Sequence, residues 1–360
     1  MPKRTGYIKE KITHELVVKA INRAKRGKTK RRDVRRFLGW DEGTKTFTKI
    51  HQAADLILDT LVNETWEPFS ISERTIKDGS SGKERLIGRV PFFDQVIHWV
   101  LVMAIRPAIS RGYYHHSVAC VDGRGAHRGR QAVARWLERD RKNTKYYLVL
   151  DVQKFYPSVT ADVATELLKR VIKDPWFFRT FEKYTATWVH GMPIGHLFSQ
   201  HLASFILTPT DHFIKEQLHI PYYLRYMDDM RLYGPSKRAL HKARAAISEY
   251  LSQFGLALKG NWQVRRQDKE PNDVMGFIFK RGATILRKKI MLRMSQKVRR
   301  VAKRNTWNPH NCMSILSYLG WLKYTDCYGF FIKWIDPYLI GMQRMKGVVR
   351  RADFRHRYAA

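Results

Sequence analysis

At 360 residues, 44% of them hydrophobic, the chain can bury a large core and divide into two or three lobes. Its 67 Lys and Arg against 32 Asp and Glu give a formal net charge of +35 and a pI near 10.3, which exceeds what solubility requires and points to a polyanionic partner, nucleic acid first. Cys120, Cys312 and Cys327 lie too far apart for a disulfide framework or a zinc ribbon. No apolar run approaches the roughly 20 residues of a spanning helix, since 96–105 is short and broken by His98, and residues 1–10 lack a secretory apolar core. The expectation is a cytoplasmic protein with no membrane partner.

Residues 1–40 carry 14 Lys or Arg against 3 acids, with Ile12, Leu16, Ala20 and Ile21 near helical spacing, so an amphipathic helix with a phosphate-facing basic side is expected. Ile50, Ala53, Ala54, Ile57, Leu58 and Leu61 fit a second helix within 46–65, ended by Trp66-Glu67-Pro68. Strand-like pieces within 69–90 then flank the turn from Lys77 to Lys83, a glycine- and serine-rich stretch. This hairpin puts Lys83 and Arg85 on one face, because strand side chains alternate. Two such cations could grip a triphosphate; they are equally ordinary on an exposed strand.

Residues 91–109 read as a buried helix, and a glycine-spaced basic loop at 115–129 leads into a helix over 130–140. In 146–158 five strand formers run straight into Asp151, placing its carboxylate at the end of a strand buried on both faces. A charge there is expensive unless a metal or cation compensates it, which makes Asp151 a candidate ligand. Tyr156, before Pro157, fixes an aromatic near the same place. Residues 190–200 combine a Gly and Pro turn with the start of an apolar helix over 197–214.

In 223–233 two adjacent acids interrupt a run of strand formers, so Asp228 and Asp229 are expected at the tip of a tight β-hairpin. Alone, such a pair is weak, because Asp is a common turn residue. Two divalent ions roughly 3.5 to 4 Å apart would neutralise the acids while binding phosphates, and an oxygen donor set suits Mg²⁺. Beyond the hairpin the pattern predicts an amphipathic helix over 236–254 and strands over 255–264 and 273–279. A helix over 287–304 carries nine basic residues and no acid, and a further helical set rich in Tyr and Trp covers 315–334.

Taken in order, the basic hairpin, the strand ending in Asp151, the glycine turn, the Asp228-Asp229 hairpin and Met275-Gly276-Phe277 resemble the reverse transcriptases from about residue 46 to 334. The resemblance implies an α+β right-hand polymerase: an antiparallel-sheet palm with a ferredoxin-like core, fingers and a helical thumb. It divides the chain into a basic helical extension (1–45), fingers (46–145), palm (146–285) and a basic thumb with C-terminal tail (286–360). By that resemblance Asp151, Asp228 and Asp229 are the catalytic acids, and they bind two Mg²⁺ ions with the carbonyl of Val152, Asp229 in a lesser role. Lys83 and Arg85 match the cations that clasp the triphosphate, and Tyr156 the aromatic that excludes a 2′-hydroxyl. Ile194, Gly195, Ser199 and Gln200 match the turn that supports nucleotide and template, Met275, Gly276 and Phe277 the primer grip, and residues 317–321 a part of the thumb. The family's fingers-loop Arg is Val121 here, with Arg124 the nearest cation. Lys259 is a weak substitute for the lysine that protonates pyrophosphate.

Within the family the chain is most similar to the reverse transcriptases of diversity-generating retroelements, on the segment Ile194-Gly195-His196-Leu197-Phe198-Ser199-Gln200 and on the chain ending soon after the thumb. That implies copying a template-repeat RNA into adenine-mutagenised cDNA from dNTPs through an RNA/DNA hybrid, with a basic accessory variability protein, in a bacterial or phage-infected cell. The competing readings are another bacterial reverse transcriptase, of group II intron, retron or abortive-infection type, and a catalytically idle RNA-binding protein on a polymerase fold.

Overall fold

The structure, a computed structural model, describes residues 8–69, 72–77 and 84–358. Of three N-terminal helices, His14–Ala24 and Arg32–Leu38 pack against the long Phe92–Ile109 helix, and Ile50–Val62 packs on those two. The first starts where the Thr13 hydroxyl accepts the Leu16 amide, and it buries Val17, Ala20, Ile21 and Ala24, the apolar stripe that leaves its basic face outward. The segment Phe92–Gly112 corrects the membrane argument from sequence. By length and composition it could cross a membrane, but 67% of it is buried inside the protein, where it is the core helix against which the N-terminal helices lie.

The fingers hairpin pairs β1 (Ser72–Lys77) with β2 (Glu84–Arg89), Lys77 opposite Glu84. Its turn, with Lys83, lies outside the described residues. The palm sheet follows: β3 (Tyr146–Asp151), β4 (Tyr222–Tyr226), β5 (Asp229–Gly234) and β6 (Gln263–Arg266), all antiparallel, in the spatial order β4-β5-β3-β6. With helices between β3 and β4 and the Lys237–Ser252 helix between β5 and β6, this is the split βαβ arrangement of a ferredoxin-like core. β3 is an inner strand, flanked by β5 along its length and by β6 over residues 146–149, so Asp151 lies at its end beyond the reach of β6.

Several element boundaries depart from the sequence pattern, each for a local reason. The helices Ala161–Lys169 and Pro175–Ala186 were not anticipated, although the side chains of Thr160 and Asp174 cap them. The expected strand over 255–264 is β6 instead; before it only Leu258 pairs, as an isolated bridge to Val152, because Gly260 and Asn261 sit in a turn. The expected strand over 273–279 is a hairpin, β7 (Asn272–Val274) and β8 (Phe277–Lys280), joined by Met275 and Gly276 at φ 55 and 85. Two positive φ values in a two-residue loop are the twist-compatible turn of a tight hairpin. β9 (Ala283–Leu286) completes this second sheet. The apolar stretch 197–214 divides after Ile206, and 315–334 becomes Pro309–Leu322 and Tyr328–Trp334.

Two cores result. One joins the N-terminal helices, fingers base and palm; the other joins the back of the palm, the β7–β9 sheet and the C-terminal helices, including Lys288–Lys303.

Candidate active site

The hairpin from β4 to β5 turns on Met227 and Asp228, with Tyr226 paired to Asp229. Met227 holds a left-handed φ of 58, a conformation that costs an ordinary residue about 1 kcal/mol or more, so the surroundings must enforce it. Behind the turn, the fully buried Arg225 donates to the Met227 carbonyl at 3.1 Å while its other nitrogens are held by Asp211 and the Ser204 carbonyl. Asp228 thus stands at the tip, and Asp229 is already the first residue of β5, directly opposite Asp151.

The three acids are treated differently. Asp228 is pushed up to about 6, first by burial and then by the nearby Asp151 charge, with which it also shares a hydrogen bond; Asp229 adds to the repulsion. Asp229 is also raised by burial, opposed by an ion pair with Arg231, whose guanidinium is nearly buried. Asp151 pairs with Lys259 at 3.0 Å from Nζ to Oδ2, and the Lys259 amide donates to the Asp151 carbonyl at 2.9 Å. Lys259, ranked low on sequence, therefore stands in the site, brought there by the turn after the Lys237–Ser252 helix.

A cleft of about 930 Å³ opens over this group and brings Arg85, Val152, Tyr156 and Ile194 together with Asp151, Asp228 and Lys259. Burial raises the Tyr156 phenol, so it remains a neutral wall of the cleft. The bend at Gly191 behind it is close-fitted: at φ 70, a Cβ there would lie 2.2 Å from the Pro157 carbonyl oxygen, and the Met192 amide donates to the Tyr156 carbonyl at 3.0 Å. The fingers reach the same place. The Gly88 amide donates to the Ile194 carbonyl at 3.0 Å, and a Cβ on Gly195, at φ 98, would lie 2.6 Å from Ile87 Cγ2.

The other sequence candidates sit elsewhere. Ser199 is fully buried and bonded to the Tyr184 hydroxyl at 2.9 Å, and the Gln200 amide donates to the His196 carbonyl in the first turn of its helix. His196 and His98 pack beside them, held down to about 4 and about 3 by burial, so the support under the Ile194-Gly195 turn is uncharged. Met275 and Gly276 form the β7–β8 turn, Gly276 against Ile290 and Trp321, while Phe277 is buried in the second core. Arg124 donates to the Tyr114 and Ser117 carbonyls. Arg225 and Arg231 were missed on sequence; a cation within three residues of the acid pair was the available signal.

No group of three or more His, Cys, Asp and Glu side chains among the described residues forms a ready-made metal cage. Mg²⁺ binds through one or two carboxylates and takes its remaining oxygens from water and substrate phosphates. Asp151 and Asp228, which repel each other at a cleft that Val152 also lines, have the oxygen-donor chemistry for it.

The family model described as reverse transcriptase (RNA-dependent DNA polymerase) matches residues 76–277, more than half of the chain. No curated protein matched significantly. Among solved structures, an apo telomerase from Candida tropicalis truncated from its C-terminal domain aligns at 11% identity with a TM-score of 0.47, over 67% of this chain and 61% of that one. The chain therefore spans less than two thirds of that neighbour.

Proposed function

The chain belongs to the reverse transcriptase (RNA-dependent DNA polymerase) family, and from that membership we propose that it performs RNA-templated DNA synthesis by nucleotidyl transfer at Asp151 and Asp228. The observation that carries the reading is the convergence of Asp151 and Asp228 with Arg85, Tyr156 and Ile194 on one cleft. Mg²⁺ bound by Asp151, Asp228 and the Val152 carbonyl would activate the primer hydroxyl and offset charge on the triphosphate.

The protein's own groups do the rest. Arg85, at the fingers edge of the cleft, meets the triphosphate as a cation. Lys259 holds Asp151 in the free protein and is within reach of the same cleft, where its ammonium would donate a proton to the departing pyrophosphate. Tyr156 closes the floor where a 2′-hydroxyl would project, which selects dNTPs over rNTPs. Arg231 pairs with Asp229 away from the cleft, whereas the partner of Asp151, Lys259, lines the cleft itself beside Asp228.

For the sub-type, we propose a low-fidelity enzyme of a diversity-generating retroelement, copying a template-repeat RNA with an accessory protein. Its support is Ile194, whose branched aliphatic side chain lines the cleft and offers the nucleotide no hydrogen bond. The test of substrate class is extension of a primer on an RNA template with either dNTPs or rNTPs. Incorporation of dNTPs supports the reading, and rNTP incorporation at equal rate, or RNA binding without extension, contradicts it.

A further inference from the structure

Arg231 follows Asp229 by two residues on β5, so both side chains leave the same face of the palm sheet. The arginine is 6% exposed, and it spends its guanidinium on two different elements. Nη1 pairs with the Asp229 carboxylate and donates to the Met230 carbonyl at 3.1 Å; Nη2 donates to the Asp273 carbonyl on β7 at 2.9 Å. Its Nε has no acceptor. A buried guanidinium that leaves one donor unsatisfied costs free energy, so its other bonds hold it there against that cost.

Asp273 continues the chain of contacts. Its carboxylate takes a two-pronged bond from Arg287, Nε to Oδ2 at 2.8 Å and Nη2 to Oδ1 at 2.6 Å. The Arg287 amide donates to the carbonyl of Gly276 in the β7–β8 turn, and Arg287 immediately precedes the basic Lys288–Lys303 helix. A continuous set of hydrogen bonds thus runs from the catalytic hairpin, through the main-chain carbonyl and then the carboxylate of Asp273 on β7, to the start of the C-terminal helices.

We infer that Arg231 is a positioning residue that ties Asp229 to the β7–β8 hairpin, and that the Asp273–Arg287 pair transmits the placement of the C-terminal helices to the catalytic hairpin. Arg231 touches no reacting atom. It fixes where β5 begins, and so where Asp228 stands, according to how the basic helix lies on a bound hybrid. This rests on the polymerase reading for what occupies the helix and for what the acids do.

The test uses the full chain as wild type, Arg231→Lys, Asp273→Asn and the double variant. Arg231→Lys keeps a cation beside Asp229 but cannot span to the Asp273 carbonyl; Asp273→Asn alters a half-exposed pair outside the cleft. Single-nucleotide extension on a primed RNA should show kcat reduced about tenfold in each single variant, and the double variant no worse than the poorer single, as for residues acting in one chain. KM for the nucleotide should stay within about twofold, because nucleotide contacts are intact.

A second readout needs neither metal nor turnover: amide exchange of residues 226–230 with and without RNA–DNA hybrid. The hybrid should slow it in the wild type and fail to do so in Asp273→Asn. Losses in kcat that multiply, or hybrid protection of the hairpin retained in Asp273→Asn while only melting temperature falls, would overturn the coupling. If the wild type extends no primer, the polymerase reading fails, and the exchange comparison still decides the coupling.

Discussion

Arg225 and Asp211 form a fully buried ion pair, with Nη2 2.6 Å from Oδ2 and Nε 2.7 Å from Oδ1, and the Tyr223 hydroxyl donates to the same carboxylate at 2.8 Å. Because Arg225 also holds the Met227 carbonyl, the pair supports the turn that carries Asp228. Removing one partner leaves an uncompensated buried charge, so Asp211→Ala or Arg225→Met should each destabilise the fold by about 3–5 kcal/mol. Chemical denaturation measures this. The double variant Asp211→Leu with Arg225→Met should lose less than the two singles combined, since no charge is then stranded.

The Asp228 carboxyl sets a pH dependence with a definite sign. Its native value is about 6 against 3.8 in the unfolded chain, so the native state holds the proton more tightly. Stability of the metal-free protein should therefore fall as pH rises from about 4 to about 6 and stay lowered above that. Asp228→Asn removes the penalty, raising stability at pH 7.5 by about 3 kcal/mol and changing it little at pH 4. Added Mg²⁺ should raise the melting temperature of the wild type at pH 7.5 and lose that effect below pH about 5.

Gly195→Ala meets two obstacles, a φ of 98 and a Cβ 2.6 Å from Ile87 Cγ2 and 3.2 Å from the Gly88 carbonyl. The expected cost is about 1–3 kcal/mol from strain and overpacking. Displacing β2 also moves Arg85 from the cleft, so KM for the nucleotide should rise severalfold while hybrid affinity changes little. Steady-state kinetics with a nucleotide titration separates the two.

Ile194 lines the cleft, and on the proposed low-fidelity reading it governs how a base is read there. Replacing it by Gln adds a donor and an acceptor where the side chain now offers neither, without moving the carbonyl that takes the Gly88 amide. Ile194→Gln should lower misincorporation opposite template adenine, read by sequencing products made on an adenine-rich RNA. An unchanged error spectrum would contradict the low-fidelity reading.

Much of this was legible in sequence because a single strand's pattern exposes what it carries: five strand formers leading into Asp151, and two acids breaking the run from Tyr223 to Tyr233, locate the cleft without any tertiary information. Lys259 was undervalued because its place depends on a turn, not a periodicity, and on a strand pairing more than a hundred residues away. Met275 and Gly276 looked like strand interior, since Met offers no turn signal and only the second residue is a glycine. Arg231 has no sequence signal beyond lying two residues after Asp229; its burial comes with β7, whose Asp273 carbonyl it meets and which no local pattern brings against β5. The helices at 161–169 and 175–186 are signalled only by their cap residues, Thr160 and Asp174, and carry no catalytic motif.

The central claim is that Asp151 and Asp228 carry RNA-templated DNA synthesis. Primer extension on a primed RNA with dNTPs and Mg²⁺, run for the wild type and for Asp228→Ala at equal hybrid occupancy, tests it most directly. Extended DNA is expected from the wild type, with loss of at least about 10³-fold in the variant and hybrid binding retained. Extension by Asp228→Ala at a rate near that of the wild type, or hybrid binding by the wild type without any extension, would contradict it.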